Sequence, residues 1–452
     1  MDTVVTKVVA RDLCSGCGIC VGTCPHKNLV MVTAESGDRV PKLLGECGKN
    51  CDLCLLVCPF TRGSHNPREL PPPAAGDTHP DRTMQFHPAI GAFRTAYRGY
   101  CIDESVRLQS SSGGLLTKCL VALLESGAIN GILIPQMVLK EDGFDYVFHV
   151  ARSANEIFAS GGSIYYPVNA ASALREIMLG AHEDDRLAVV GVPCFLAAVK
   201  KASALLPKVR RVVRYTLGLA CGMYQNEMYT EMLLAKCQCS PAECGKIMYR
   251  GKAENRPPNN FAFICKDRNN QRTAEILYDG LPYYLGRHAY FRLNACNYCH
   301  DVFAETADAC FMDAWLPENI VDWRGTSLVV VRDQAIEETL LNEKRKGHIN
   351  LEEIEAAKVI RSQSGHIKRK QELIDYRLGR PGPAVTWLEK LDWLLQIKTQ
   401  KRSKWAWRTL GRKYGVSWFW LGVLDLYLMQ MILSLLIRTT SIVGNLLRKT
   451  GK

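Results

Sequence analysis

The stretch Cys14-Ser15-Gly16-Cys17-Gly18-Ile19-Cys20-Val21-Gly22-Thr23-Cys24-Pro25 decides how the first part of this chain is built. In the spacing CxxCxxCxxxCP, three closely placed thiolates cap one face of an iron–sulfur cubane. The fourth cysteine, ahead of a proline, reaches across to a neighbouring cluster. A second copy follows as Cys47-x3-Cys51-x2-Cys54-x3-Cys58-Pro59, with one extra residue between its first two thiols. By that rule Cys14, Cys17, Cys20 and Cys58 hold one [4Fe–4S] cluster, and Cys47, Cys51, Cys54 and Cys24 hold the other. The competing reading is a pair of zinc knuckles. Zinc, however, prefers two separated CxxC pairs to a doubled CxxCxxCxxxCP.

The rest of the composition agrees with a redox protein. The chain has 452 residues, a formal charge of +12, 47% hydrophobic residues and 19 cysteines. That length predicts two or three domains with ample core. No charged leader followed by an apolar stretch opens the sequence, so the expectation is a cytoplasmic protein whose cysteines bind metal instead of forming disulfides. Residues 396–452 carry eleven Lys and Arg against the single acid Asp425, so +10 of the +12 lies there. The body is nearly neutral, which excludes a nucleic-acid-binding body.

Residues 1–65 are cysteine-dense, and 66–92 are proline-rich without periodicity, which predicts a linker. From 93 the pattern turns α/β. A helix is expected over Leu115–Leu124, and strands over Ile129–Leu139 and Asp145–Ala151 around the turn Glu141-Asp142-Gly143. A buried strand at Arg186–Val192, a helix at Phe195–Leu206 and a strand at Val212–Leu219 complete a βαβ unit with parallel strands. Residues 336–375 read as charged helix, and Pro381-Gly382-Pro383 precedes a tail.

Cys194 and Cys221 each follow a predicted strand, in Val190-Gly191-Val192-Pro193-Cys194 and Gly218-Leu219-Ala220-Cys221. Parallel strands joined by a right-handed crossover bring their carboxyl ends to one edge, where α/β sheets bind ligands. Cys296-x2-Cys299 supplies a further pair. From the residues alone, either these four form a third site or they are two core cysteines and an unrelated CxxC. Cys237, Cys239 and Cys244 crowd one segment and read as free thiols, while Cys101, Cys119, Cys265 and Cys310 read as small buried hydrophobes. His288, beside Arg287, is a candidate proton donor with a structural role as its alternative, and no catalytic acid is assigned.

Several of these segments resemble the family of beta subunits of coenzyme F420 (deazaflavin) hydrogenases and dehydrogenases, which also includes ferredoxin-linked reductases of the chlorophyll pathway. The resemblance is carried by Ser111-Ser112-Gly113-Gly114-Leu115-Leu116-Thr117, Gly161-Gly162-Ser163 with Tyr165, and the two strand-end cysteine segments. Cys296-Asn297-Tyr298-Cys299-His300-Asp301, Ala304-Glu305-Thr306-Ala307-Asp308, Asp313-Ala314-Trp315 and Gly325-Thr326-Ser327-Leu328-Val329-Val330-Val331 continue it. Together they run in the family's order over roughly 93–375. The resemblance implies a third [4Fe–4S] cluster at Cys194, Cys221, Cys296 and Cys299, and a bound FAD. Two departures stand out: Ile164 where many relatives have lysine, and Met312 where many have glycine.

Ser111-Ser112-Gly113-Gly114 before a helix suits a phosphate, because small residues let backbone N–H groups approach an anion at a helix N-terminus. It is neither GxGxxG nor a Walker loop. Combined with the resemblance, this places Ser112, Gly113, Gly114, Thr117 and Ser163 around FAD.

Six of the eight tryptophans (Trp387, Trp393, Trp405, Trp407, Trp418 and Trp420) lie in the tail. Val416–Ile437 is long enough to span a bilayer, but Asp425 sits at its middle and Gln430, Ser434, Arg438 and Ser441 repeat at helical spacing. The expectation is an amphipathic helix lying on the inner membrane face, with spanning, or docking on a partner or on the chain's own core, as alternatives.

The expected fold is therefore an α/β (α+β) core of the F420-reducing hydrogenase beta subunit type. Its parts are a 2[4Fe–4S] ferredoxin-like domain (1–65), a linker (66–92), a flavin-binding half (93–235), a second half (236–384) and a basic aromatic tail (385–452). The expected function is an iron–sulfur flavoprotein oxidoreductase acting on F420 or an unsaturated organic molecule. Its redox partner would be a ferredoxin or a hydrogenase or dehydrogenase subunit. The alternatives are an electron-input subunit of a larger complex and a degenerate scaffold.

Overall fold

A computed structural model describes residues 2–48, 51–69, 84–180, 184–254, 256–382 and 384–449, with the side chains of 438 and 440–449 excepted. The centre is an eight-stranded mixed sheet. Its strands are β1 (Thr95–Cys101), β2 (Gly131–Lys140), β3 (Gly143–Ala151), β4 (Leu187–Gly191), β5 (Val213–Leu219), β6 (Ala309–Asp313), β7 (Ser327–Val331) and β8 (Ile349–Glu353). They lie in the order β8-β1-β7-β6-β5-β4-β2-β3. The middle four, β6-β5-β4-β2, are parallel, and the outer pairings are antiparallel.

Sequence pattern explains this layout. Ser327–Val331 is buried at every position, and Leu187, Ala188, Val189 and Val190 are buried in succession. Continuous apolar runs of this kind belong to strands covered on both faces. One face carries the helices α1 (Leu115–Glu125) and α3 (Gln334–Arg345), packed on Ala188, Val190, Leu217 and Val329. The opposite face carries α2 (Pro193–Leu205), packed on Leu187, Val189 and Leu328. Two neighbouring residues of one strand thus serve two cores, as the two-residue period of a strand requires.

The hairpin expected around Glu141-Asp142-Gly143 is present, with Ile132 opposite Ala151 and Lys140 opposite Gly143. The reading of 336–375 as one helical region is corrected. After α3 the chain returns as the edge strand β8, which pairs with β1. Its residues Ile349 and Leu351 are buried while Asn350 is exposed, an alternation that belongs to a strand. Of the linker, 70–83 lies outside the described residues. Gln85–His87, in the linker's last part, pairs with Gly91–Phe93 as a short hairpin that runs into the core.

The N-terminal part is small: an antiparallel pair, Leu29–Thr33 with Arg39–Leu43, and two helical turns, Ile19–Gly22 and Leu53–Leu56. It sits tightly on the core. A Cβ on Gly22 would lie 2.5 Å from that of Leu174, so only glycine fits there. Ala170 N–H donates to Cys17 O at 2.9 Å, Arg175 reaches Val21 O, and Arg39 pairs with Asp145 at 2.8 Å.

The tail is not a separable appendage. It forms a helical pair, α4 (Trp387–Ala406) and α5 (Val416–Lys449), joined by a π-helical turn at Trp407–Gly411 and a short helix at Arg412–Tyr414. Gly415 (φ +93°) makes the reversal, a backbone region that favours glycine. Trp407 and Phe419 are buried against Phe291, and Phe419 also meets Tyr290. Several tail cations have body partners: Lys404 with Asp38 at 2.6 Å, Arg408 with Glu35, and Arg412 with Glu231 and Glu227. Gln430 also points inward, bonding Tyr284 and Thr399. It is therefore not part of an exposed polar stripe, and the side chains of Arg438 and Ser441 lie outside the described residues.

Candidate functional site

The first cysteine group is built by a loop that two glycines make possible. Gly16 and Gly18 both have φ near +75°, and a Cβ on either would approach Arg39 O or Ala171 N to 3.0 Å. With these turns in place Cys14, Cys17 and Cys20 face one another. Cys58 joins them from the end of the second motif. Conversely, Cys24 is a neighbour of Cys47 and Cys54, with Cys51 beside both. The fold thus places Cys58 beside the thiols of the first motif and Cys24 beside those of the second. The two groups face one another through Cys20 and Cys54.

The third group forms at the carboxyl edge of the parallel strands. Cys194 lies in the first turn of α2 directly after β4, and Cys221 follows β5. Gly191 and Gly218 are opposite one another in the register of those strands. Cys296 and Cys299 arrive on the turn Asn294–Tyr298, and Cys194 has Cys299, Cys221 and Cys296 as its neighbours. Tyr224 N–H donates to Cys296 Sγ at 3.2 Å. The end of the N-terminal part is stitched to this turn: His65 N–H donates to Tyr298 O, and His300 N–H donates to His65 O, each at 2.8 Å. Cys17 also faces Cys194, so the first and third groups are adjacent.

Burial pushes the Cys20, Cys58 and Cys194 thiols up, Cys58 to about 12, and the neighbouring sulfurs add to the effect. Four thiols in one buried group become anionic together only around a cationic centre, and that donor set fits an iron–sulfur core.

The expected flavin residues are brought to one loop, with differing roles. Ser112 Oγ donates to Thr326 O, and Gly113 N–H donates to Ser327 Oγ, both at 2.8 Å. A Cβ on Gly113 would strike Gly99 O and Ser327 N at 2.7 Å. Ser112 and Gly113 therefore shape the loop through their own bonds. Gly114 (φ +84°) is the N-cap of α1, and Thr117 Oγ1 meets Ser110 Oγ. Ser163 is drawn to the same place, donating to Ser111 Oγ at 2.9 Å. The backbone of Gly161 and Gly162 beside it is exposed.

Three residues of this region, Lys252, Arg107 and Arg250, carried no sequence signal. Lys252 Nζ donates to the carbonyls of Ser112, Arg107 and Arg324, and burial among arginines lowers it to about 7. Arg107 bonds Gly325 O and Asp322. Lys252 and Arg107 therefore brace the Ser111–Gly114 loop from beneath, and a phosphate placed on that loop would favour the protonated form of Lys252, although Ile164 replaces the familiar lysine. Arg250 grips Asp313 through two bonds of 2.8 and 2.7 Å and packs on Phe261 and Trp315. Tyr165, half-buried, has Arg250, Asp313, Ser163 and Cys221 around it, and so stands between the serine–glycine loop and the third cysteine group.

Cys237, Cys239 and Cys244 are joined by Cys265 from the neighbouring strand Ala262–Asp267, with thiol hydrogen bonds linking Cys265 to Cys237 and Cys239. All four are buried free thiols. Cys101, Cys119 and Cys310 are buried as expected. His288 is buried, packed on Tyr284 and lowered to about 4 by burial, surroundings that fit the structural alternative.

Comparison with known proteins matches the family model for the N-terminal part of the coenzyme F420 hydrogenase/dehydrogenase beta subunit over residues 96–175, and that for its C terminus over 184–357. A coenzyme F420-dependent sulfite reductase of Methanocaldococcus jannaschii is 22% identical over 401 residues, which are 82% of this chain and 53% of that protein. One of the subunits of the F420H2 dehydrogenase of Methanosarcina mazei is 24% identical over 228 residues, 49% of this chain and 56% of the relative. The chain thus spans little more than half the length of these relatives. A chain of the F420-reducing [NiFe] hydrogenase complex from Methanosarcina barkeri superposes with a TM-score of 0.49 at 18% identity, covering 66% of this chain and 99% of that one. The two family models together take in more than half of the sequence, and the chain belongs to the family of coenzyme F420 hydrogenase/dehydrogenase beta subunits.

Proposed function

We propose that this chain is an iron–sulfur flavoprotein oxidoreductase that exchanges electrons between three [4Fe–4S] clusters and FAD, with coenzyme F420 or an unsaturated organic molecule as second substrate. The observation that carries the reading is the file of cysteine groups. Cys24, Cys47, Cys51 and Cys54 adjoin Cys14, Cys17, Cys20 and Cys58, which adjoin Cys194, Cys221, Cys296 and Cys299. The file ends at Tyr165 and Ser163, beside the serine–glycine loop. Among the described residues no three His, Cys, Asp or Glu side chains crowd closely enough to grip a single ion. The doubled CxxCxxCxxxCP spacing, in place of two separated CxxC pairs, supports clusters over zinc.

When bound, the clusters carry single electrons and the flavin couples them to two-electron hydride chemistry. The chain's own residues do the rest. The twelve cysteines hold and order the carriers. Arg107 and Lys252 oppose phosphate charge beneath the loop, while Gly113 lets the backbone close against β7. Arg250, fixed by Asp313, stands at the side of Tyr165 as an orienting cation. Anaerobically purified protein should contain about twelve irons per chain, four for each cluster, and one FAD. It should pass electrons between reduced F420 and a one-electron acceptor. Stoichiometric zinc with negligible iron would overturn the reading.

The self-contained file of three groups favours an enzyme over a bare electron-input subunit. The redox partner on this reading is a ferredoxin or a hydrogenase- or dehydrogenase-type subunit, met at the Cys24–Cys54 end. The site is proposed to work in the cytoplasm, with the chain held at the inner membrane face through α5. Val416–Ile437 is long and apolar enough to cross a membrane, but Phe419, Val423, Leu426, Gln430 and Leu433 are buried. The opposite face exposes Trp418, Leu421, Leu428, Ile432 and Leu435. A helix docked along one face with an apolar outer face suits a bilayer surface, aided by nearby lysine and arginine. Flotation with anionic vesicles, lost at high salt and weakened by Leu428→Glu with Leu435→Glu, is the expected result. Protein that stays in solution at low salt would refute the membrane role.

A further inference from the structure

The three cysteine groups differ in the charges around them. Lys370 lies in a π-helical turn, Lys368–Glu372, and is 2% exposed. Turns of this kind recur at functional positions. Its ammonium donates to Cys221 O at 3.2 Å and to Asp301 O, and it faces Cys299, Cys221 and Cys296. Arg369 faces Cys221 and Cys296, and its Nε has no hydrogen-bond partner. Arg292, 1% exposed and held by Gln396 at 2.8 Å, faces Cys296. Against these three cations stands Asp301, with Asp392 beside Arg292. Among the described side chains, the leading cation at the first group is Lys201 near Cys58, opposed by Asp38 near Cys14. In the group of Cys24, Cys47, Cys51 and Cys54, the foremost charged neighbours of Cys47 and Cys54 are the sulfurs of their own group.

We propose that Lys370, backed by Arg369 and Arg292, sets the reduction potential of the cluster held by Cys194, Cys221, Cys296 and Cys299 above those of the N-terminal pair. Electrons entering through the ferredoxin-like part then come to rest beside the flavin. The inference rests on the cluster assignment proposed above. Its physics is direct. A cluster on four thiolates is anionic, one-electron reduction makes it more so, and burial opposes that added charge. A fixed ammonium offsets the opposition, and cluster potential follows net charge, hydrogen bonding and exposure. Lys370 is tied to two carbonyls away from solvent, so salt screens it little. The first group, with its thiols likewise packed into the core, has no matching surplus of positive charge, and its potential falls below that of the third.

The test is a potentiometric titration of the full chain followed by electron paramagnetic resonance, with iron measured on every sample. In the wild type one of three clusters should reduce ahead of the others, and Cys299→Ala should abolish that signal. Lys370→Met should make the same cluster at least tenfold harder to reduce at fixed potential, 59 mV for a one-electron couple. The other two should be unmoved, and Lys370→Arg should recover most of the change. Should Lys370→Met lose iron, Arg369→Gln must show the same direction of shift. A wild type with about eight irons, two clusters of four, removes the third cluster and this proposal with it. Twelve irons with no shift in either variant overturns the proposal alone.

Discussion

The two ends of the cysteine file are built on opposite plans. At the outer end, Cys24, Cys47, Cys51 and Cys54 stand in a small two-stranded part, where Cys47 and Cys54 face chiefly the sulfurs of their own group. At the inner end the thiols sit at the edge of an eight-stranded sheet, under α4, with Lys370, Arg369 and Arg292 around them. Asn297, between Cys296 and Cys299, is tied to Gln400 of α4. The difference teaches that the same four-thiol set is given different electrostatic surroundings by the chain around it. On the reading proposed above, the outer group would exchange electrons with a docked partner, while the cations around the inner group would offset the charge of a reduced cluster.

The strongest way to break this comparison is Cys299→Ala. It should leave about eight of twelve irons, since each cluster carries four, with the outer and middle groups intact. Electron transfer between reduced F420 and a one-electron acceptor should fall to background while the N-terminal resonance signals persist. Iron analysis with paramagnetic resonance decides it. Loss of all iron would show that the two ends are a single folding unit.

Next in size is the cover that the tail gives the inner end. Phe419 is fully buried among Tyr290, Phe291, Trp407 and Trp420. Phe419→Ala should destabilise by about 3–5 kcal/mol, the usual cost of removing a buried aromatic side chain. Denaturant unfolding measures it. A change within about 0.5 kcal/mol, the range of ordinary surface substitutions, would mean that the tail is merely laid on the body.

The legibility of the two ends in the sequence also differs. The outer end is local: its ligands follow from spacing, and the exchange of Cys24 and Cys58 follows from proline-terminated motifs. The inner ligands needed strand ends to converge, and Cys194 and Cys221 were readable because each follows an apolar run. What surrounds them was not readable. Lys370 belongs to a charged stretch that looks like a solvated helix, and only the π-helical turn buries it. Counting charge in the tail suggested a free basic appendage, because Asp38, Glu35 and Glu231, which bind Lys404, Arg408 and Arg412, lie more than 170 positions away. Cys265 joins three other cysteines only through strand pairing, which spacing does not reveal.

The smallest expected effect lies at the seam between the ends. Glu227 opens the helix Glu227–Lys236, within 3.8 Å of Arg39 from the N-terminal hairpin and 3.7 Å of Arg412 from the tail. Burial raises its carboxyl to about 7, with Glu231 adding repulsion and Arg39 and Arg412 only partly offsetting it; Asp145 also faces it. A carboxyl whose folded value lies above its unfolded one holds a proton that unfolding releases, so its contribution is complete in acid and is lost as pH rises through about 7. Each unit of such a shift corresponds to about 1.4 kcal/mol, which puts an upper bound of a few kcal/mol on the loss. Glu227→Gln carries no charge to bury. The variant should therefore match the wild type near pH 4, below the unfolded carboxyl value, exceed it in stability at pH 8, and show a flatter profile between. Denaturant midpoints across that range provide the measurement. A variant less stable than the wild type at pH 8 would show that the ion pairs with Arg39 and Arg412 outweigh burial, so that the seam is held by charge instead of strained by it.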